Sequence, residues 1–548
     1  MTQYDIILPQ QRIAEMSAAG YWSERTITDY LDDAIAAVPD KLAISAHRVA
    51  SGEHATLTYA ELGRTVDRVA LGLVDLDIAP GDVVSFQLPN WWQFTVLHLA
   101  CARIGAITNA LMPIFRQREL RFMMSFAETR ALFVPSWYRD FDYAAMAGEV
   151  ACDVPSLDHI HVIGGDGAAS FEGQFIDRPW EDERNAREVF AERRRGANEV
   201  TQLVYTSGTT GEPKAVMHTP NTLIGNIHAY VDRVGLGSDD VVLMASPLAH
   251  QTGFLYGMMM PIVLQATCVL QDIWAPDVAA RLIEAEHVTF TMASTPFLAD
   301  LTHTPALADH NVGTLKTFLT AGAPIPRALV QEAKEQLGAD ILSCWGMTEN
   351  GGVTVTRRDD QPQKVFETDG VPIAGMEVRV VGDDDAPLAT GAEGRLQARG
   401  ASSFVGYLKR PEAFDHDEDG WFETGDLARM DADGYIRISG RNKDVIIRGG
   451  ENIPVVEVEG LIYQHPAVQD VAIVAMPDPR LGERACAFVT LAPGTSLTQE
   501  EMIGFLLTQE MAKQYLPERL EILSEMPRTP SGKIQKFALR ETAAKLAP

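Results

Sequence analysis

The chain has 548 residues, 46% of them hydrophobic, which is more than one core usually supports and enough to fill two or more domains. With 46 Lys and Arg against 75 Asp and Glu, its formal charge of −29 disfavours nucleic acid or an anionic membrane surface as a partner. Five cysteines (Cys101, Cys152, Cys268, Cys344, Cys486) lie without a C-x-x-C pair, and neither a signal-peptide pattern nor an uncharged apolar window of about 18 residues is present. A cytoplasmic enzyme without a disulfide framework, a cysteine zinc site or a transmembrane segment is therefore expected.

Reading from the N-terminus, residues 57–62 open an amphipathic helix, with Leu62, Val66, Val69 and Leu73 at helical spacing. Residues 82–88 read as a strand, and Trp92 to Ile104 as a helix that closes at Gly105. This is the βα alternation of an open α/β layer. Trp91 and Trp92, at the start of an apolar helix, read as core. From about residue 150 to 197 the text turns irregular, with a Gly-Gly-Asp-Gly run at 164–167 and three arginines at 193–195, and predicts a solvated connector.

The connector leads to a β-branched apolar run at 201–205, and Thr219-Pro220 has the form of a helix N-cap followed by a first-turn proline. The stretch between them contains Thr206-Ser207-Gly208-Thr209-Thr210-Gly211-Glu212-Pro213-Lys214, and is expected to lie between a strand and a helix. Its four hydroxyls, two glycines and one lysine suit a polyphosphate, which would need such local cations against the acidic background. By composition alone the same stretch reads as a polar surface loop, and the Walker A pattern is absent. A helical stripe of Leu223, Ile227, Tyr230, Val231 and Val234 follows and stops at Gly235.

Further on, His250-Gln251-Thr252-Gly253-Phe254 follows an apolar strand, where an isolated histidine reads as a core residue. The apolar run at 258–264 is a short buried strand or helix. Residues 320–326 form a strand-to-helix turn rich in small residues, among them Gly322 and Ala323. Cys344-Trp345-Gly346-Met347-Thr348-Glu349 supplies an aromatic plane for a base, a close backbone approach and a carboxylate able to hold Mg²⁺. Asp426, behind Thr424-Gly425, offers two acceptor oxygens to a ribose diol, or belongs to a simple turn. The charged stretch at 441–444, between two β-like segments, marks a hinge and a domain boundary. Beyond it, a helix at 455–462, strands at 468–475 and 485–491 and a helix from 502 describe an α+β unit of about 100 residues. Lys533 sits on a Pro/Ser/Gly loop at 527–536 and by itself reads as a solvated charge.

Together these blocks, running in order from about Leu57 to Lys536, resemble the adenylate-forming superfamily of acyl-CoA synthetases, nonribosomal-peptide adenylation domains and firefly-type luciferases. The resemblance implies an α/β fold with a large multi-layer N-terminal domain of βα subdomains (1–440). A small mobile α+β C-terminal domain (441–548), hinged at Lys443, would carry the catalytic lysine. ATP and AMP would be held by Thr206, Ser207, Gly208, Thr209, Thr210, Gly211 and Lys214 at the phosphates. Gly322, Ala323, Trp345 and Gly346 would face the base, Thr348 a phosphate, Asp426 and Arg441 the ribose, and Glu349 the magnesium ion. Trp345 departs from the tyrosine usual before that glycine, keeping a stacking face but losing the phenol hydroxyl. His250 would stand between the acid's carboxylate and the α-phosphate, with Gln251, Thr252, Gly253, Phe254, Gly322 and Met347 around the acid. Gly449 and Gly450 would face the pantetheine arm of coenzyme A, and Lys533 would meet the carboxylate and α-phosphate, making Lys533, His250, Thr206 and Glu349 the catalytic set.

The implied activity is an ATP- and Mg²⁺-dependent carboxylic acid–CoA ligase of fatty acid metabolism. Acid and ATP would give acyl-AMP and pyrophosphate, and acyl-AMP with coenzyme A would give acyl-CoA and AMP. Small residues near His250 point to a medium-chain, alicyclic or aromatic acid. An acyl-AMP ligase that loads a carrier protein and a non-catalytic nucleotide-binding scaffold are the alternative readings. No acidic residue stands at 244–252 to take an amino acid's ammonium group. On assembly the sequence offers nothing beyond the general frequency of homodimers.

Overall fold

The computed structural model of the chain describes residues 4, 10–206, 213–322, 325–414, 416–441, 445–448, 451–478, 480–509, 511, 513–529 and 532–546. The helix Tyr59–Asp75 forms where its stripe predicts it. Thr58 caps it, accepting from the Glu61 N–H while Glu61 reaches back to the Thr58 N–H, and Leu62, Val66, Val69 and Leu73 are fully buried. The helix Trp92–Ile104 ends at Gly105 with φ of 73°, and Pro220–Val234 begins after its N-cap Thr219 and ends at Gly235.

Among the described residues, two large sheets carry these helices. One has six strands in the order Lys214–His218, Gln202–Thr206, Ile107–Ala110, Val83–Phe86, Thr129–Pro135, His159–Ile163, parallel except at the first pair. The other has nine. Its parallel centre runs Asp340–Met347, Thr317–Ala321, Phe290–Ser294, Val241–Met244, Thr267–Gln271, Leu42–His47, and antiparallel strands flank it on both sides. The largest core lies between the sheets and takes Val84 and Phe86 from one, Met244 and Leu270 from the other, and the inner faces of the three helices. This is the expected α/β layering.

A four-stranded antiparallel sheet (Met376–Val381, Glu393–Gly400, Phe422–Met430, Ile436–Arg441) follows. Beyond it a small α+β unit pairs Val468–Asp478 with Gly482–Leu491, adds Arg519–Leu523 in parallel, and packs the helices Val455–Ile462, Gln499–Thr508 and Lys536–Leu546 over cores of its own. No helix among the described residues is long and apolar enough to cross a membrane.

Two expectations are corrected. The hydroxyl-rich loop joins two strands, because Lys214–His218 pairs antiparallel with Gln202–Thr206 before Thr219 caps the helix. Ala215, Val216 and Met217 are all buried, so this short apolar run is stabilised by sheet pairing as well as by the helix that follows. The connector is also more than a solvated linker. Phe171, Phe175 and Trp180 are fully buried, and Phe175 packs on Phe133 of the six-stranded sheet. Its arginines are engaged locally: Arg193 donates to the Ile78 carbonyl, Arg194 pairs with Asp29, and Arg195 with Glu199.

Candidate active site

Three adjacent parallel strands end together, and in open α/β sheets that edge is where ligands bind. The register sets Ser294 opposite Ala321 and Ala321 opposite Cys344, so Ser294, Gly322 and the Trp345–Glu349 segment emerge side by side. Thr206 and Lys214, paired across the mouth of the hydroxyl-rich loop, are both half-buried. Ser207, Gly208, Thr209, Thr210, Gly211, Ala323, Lys443, Gly449 and Gly450 lie outside the described residues.

Asp426 lies within the strand Phe422–Met430, opposite Arg441 of the neighbouring strand. Its carboxylate is buried. Oδ1 stands 3.0 Å from Arg441 Nε, and Oδ2 accepts from the indole Nε1 of Trp345 at 2.9 Å. Trp345 thus has a polar function that its aromatic plane alone did not suggest. The lost phenol hydroxyl is replaced by an N–H that fixes a carboxylate, and each carboxylate oxygen retains a lone pair for a ribose hydroxyl.

Glu349 is 6% exposed, and burial raises its carboxyl above the ordinary value, against the lowering effect of Tyr407, Arg441 and Lys214. Its Oε1 accepts from the Tyr407 hydroxyl at 2.8 Å, and Lys214 Nζ lies 4.8 Å from the Tyr407 ring centroid. Among the described residues Glu349 has no ion-pair partner. A buried carboxylate held by neutral donors, the Tyr407 hydroxyl and its own backbone N–H, fits Mg²⁺, which is commonly held by one or two carboxylates together with phosphates and water. The carbonyl of Thr348 accepts from His218 Nε2 at 2.8 Å, while His218 Nδ1 lies 3.0 Å from the Thr222 hydroxyl. Burial pushes His218 down to about 4 and keeps it neutral.

His250 is also held neutral, its value lowered to about 3 by burial and by the nearby Lys533. Its Nδ1 accepts from the Thr252 N–H at 3.2 Å, which leaves the ring proton on Nε2 as a donor. Thr252 is half-buried, whereas Gln251, Gly253 and Phe254 are buried behind His250. Gln251 accepts from Gln202 at 3.1 Å, Gly253 abuts the Pro247 carbonyl, and Phe254 packs on the His98 ring at 4.6 Å. Gly346 lies against the Gly351 carbonyl, and Met347 is half-buried beside Val216 and Phe404.

Lys533 reaches this group from the small C-terminal unit. Its N–H donates to Thr529 Oγ1 at 3.0 Å and its carbonyl accepts from the Thr529 N–H at 2.7 Å, which closes a tight loop. Gly532, at φ of 83°, brings that loop onto the large domain, and a Cβ there would stand 2.5 Å from Ser294 Oγ. Lys533 Cε passes Gly322 closely, 3.2 Å from where a Cβ at 322 would lie. Burial and the charge of Arg441 lower Lys533 to about 8, partly opposed by Asp426 and Glu349. Lys533, Arg441, Asp426, Glu349 and His250 therefore belong to one electrostatic cluster.

Motif reading missed Tyr407, the partner of Glu349. Its only trace is an aromatic residue after Gly406, on a stretch whose partners are set by tertiary contact.

Comparison with known proteins shows the family. Residues 31–408 match the model of the AMP-binding enzyme family, and residues 457–533 match that of the AMP-binding enzyme C-terminal domain. The chain is 37% identical over 536 residues to the medium-chain fatty-acid–CoA ligase of Escherichia coli (strain K12), covering 97% of this chain and 93% of that one. It is 35% identical over 550 residues to the 2-hydroxy-7-methoxy-5-methyl-1-naphthoate–CoA ligase of Streptomyces carzinostaticus, covering 98% and 97%. The ATP-bound MatB of Rhodopseudomonas palustris is a structural neighbour at TM-score 0.82 and 26% identity, over 96% of this chain and all of that one.

Proposed function

The chain belongs to the AMP-binding enzyme family, and from that premise we propose that it is an ATP-dependent carboxylic acid–CoA ligase for a medium-chain, alicyclic or aromatic acid. The observation that carries the proposal is the docking of Lys533 against Gly322, within electrostatic reach of the Asp426–Arg441 pair. A binding scaffold has no need of a lysine delivered by a second domain. The reading extends to a cytoplasmic homodimer, with the domain boundary at 440/441 and a hinge at Lys443.

A carboxylate is a poor acyl donor because its leaving group would be oxide, so activation comes first. One carboxylate oxygen attacks the α-phosphorus of ATP, and the bond to the β-phosphate oxygen breaks with departure of pyrophosphate. Asp426, fixed by Trp345 and Arg441, takes the ribose hydroxyls and sets the α-phosphorus in line. His250 donates its Nε2 proton as a hydrogen bond toward the attacking carboxylate and stays uncharged. Lys533, as ammonium, faces the negative charge that accumulates around the α-phosphate, while Lys214 and Thr206 face the outgoing phosphates. Glu349 would hold Mg²⁺, which supplies charge neutralisation at the phosphates. Rotation about Lys443 would then withdraw Lys533 and bring Gly449 and Gly450 to the site. The thiolate of coenzyme A attacks the acyl carbon, a C–S bond forms and AMP leaves.

The test follows pyrophosphate, AMP and acyl-CoA from the purified chain with ATP, Mg²⁺ and a panel of acids from acetate through octanoate, cyclohexanecarboxylate, benzoate and coumarate. Acid-dependent turnover that requires coenzyme A supports the reading. A single burst of pyrophosphate without turnover on coenzyme A assigns the acyl group to a carrier protein or another nucleophile.

A further inference from the structure

A second polar cluster lies away from the cleft. The strand Leu42–His47 pairs antiparallel with His54–Thr58, and the register sets His47 directly opposite His54. Glu286, the C-cap residue of the helix Pro276–Ala285, reaches this pair from the side. Four nitrogen and oxygen atoms converge there. His47 Nε2 is 2.9 Å from Glu286 Oε1, and His54 Nε2 is 3.8 Å from the same oxygen. Ser45 Oγ stands 3.1 Å from His47 Nε2, 2.9 Å from His54 Nε2 and 2.9 Å from Glu286 Oε1.

We propose that His47, His54 and Glu286, with Ser45 beside them, form a site for a zinc-class divalent transition-metal ion that clamps the edge hairpin to the helix Pro276–Ala285. Two imidazoles and a carboxylate are a ligand set used for Zn²⁺, with bonds of about 2.0–2.2 Å. A tetrahedron of that size has edges of roughly 3.3–3.6 Å. The observed 2.9 and 3.8 Å from the two imidazoles to Glu286 Oε1 bracket this range, so these two edges need to change by only a few tenths of an ångström once the His54 ring turns toward the ion.

Three further features agree. The site sits at the C-terminal end of a helix, where the backbone dipole favours a cation. The side chain of His47 is 14% exposed and that of Glu286 19%, so these two ligands are held in place by their surroundings. The side chain of His54 is 44% exposed, which gives an ion a path in. His47 and His54 are stacked at 4.1 Å with 9° between planes, so capture requires the exposed His54 ring to turn until its Nε2 lone pair meets that of His47. The Nε2 proton that His47 shares with Glu286 and the one that His54 gives to Ser45 each pass to Nδ1 of the same ring, giving the other neutral tautomer of both. The ion joins by dative bonds, and no oxidation or proton release is needed. None of the four residues lines the catalytic cleft.

The experiment uses the full chain stripped with chelator, titrated with Zn²⁺ by calorimetry and with Co²⁺ by visible absorption, beside His54→Ala and Glu286→Gln. The wild type is expected to bind one more equivalent of Zn²⁺ than either variant, or to bind it at least tenfold more tightly. Tetrahedral Co²⁺ bands and a Zn²⁺-dependent rise in Tm should be confined to the wild type. His54 is exposed, so its alanine variant reads the site without unfolding the domain. Equal stoichiometry, affinity and Tm response in all three proteins overturns the proposal. Acid-dependent pyrophosphate release without Zn²⁺ should be the same in all three, which keeps this test separate from the ligase reading.

Discussion

The indole N–H of Trp345 donates to Asp426 Oδ2 at 2.9 Å while Arg441 Nε holds Oδ1 at 3.0 Å, so one buried carboxylate is fixed from both sides by residues on different strands. A hydrogen bond to a charged group contributes about 1.5–3 kcal/mol, which corresponds to roughly 10- to 100-fold in an equilibrium constant. Trp345→Phe keeps an aromatic face but removes the donor. Its KM for ATP should rise by about tenfold or more, with KM for the acid little changed, as steady-state kinetics will show. An unchanged KM for ATP would mean that Trp345 acts through stacking alone.

Tyr407 supplies the hydrogen bond that partly offsets the burial of Glu349. The carboxyl must be ionised to hold a cation, and its value is already raised, so activity is lost as pH falls through that value. Tyr407→Phe removes a stabilising donor and raises it further. The acidic limb of the pH profile should move to higher pH and the apparent affinity for Mg²⁺ should fall by about tenfold. A limb that stays in place separates Tyr407 from the metal carboxylate.

His250 is pushed down to about 3 and is neutral across the working range. Its role as an Nε2–H donor therefore predicts no histidine limb in the pH dependence of adenylation. His250→Ala should slow adenylation by roughly 10²-fold, the scale of one lost transition-state donor. His250→Gln, which keeps an N–H, should retain more activity than the alanine variant.

Gly532 turns the lysine loop with a positive φ against Ser294. An alanine there costs about 1 kcal/mol for backbone conformation and adds a clash with Ser294 Oγ. Gly532→Ala should slow adenylation by about tenfold, while acyl transfer from supplied acyl-adenylate to coenzyme A holds its rate. Single-turnover measurement of each half-reaction checks this.

Much of the fold was legible in the sequence for local reasons. The stripe Leu62, Val66, Val69, Leu73 and the Thr58 capping box specify their helix without tertiary help, as Thr219-Pro220 and Gly235 specify theirs. Five residues carry little periodicity, so the sequence at 214–218 has the form of a loop-to-helix passage, and only pairing with Gln202–Thr206 reveals the strand. Phe171, Phe175 and Trp180 were hidden in a polar connector for the same reason: isolated aromatics enter a core through contacts distant in sequence. At the site, Lys533, Glu349 and Asp426 were visible as motif members. Trp345 was visible as an aromatic plane but not as the donor to Asp426, and Tyr407, the partner of Glu349, acts through side-chain geometry that has no spacing rule.

The central claim is that Lys533 serves adenylate formation and leaves the site before the thiol arrives. The most direct measurement compares both half-reactions in the wild type and in Lys533→Ala. Adenylation in the variant should fall by roughly 10²-fold or more, while thioester formation from supplied acyl-adenylate stays within a few-fold. In the wild type, adenylation should decline above about pH 8, where the depressed lysine loses its proton. Equal damage to both half-reactions, or a variant that adenylates at the wild-type rate, would contradict the account.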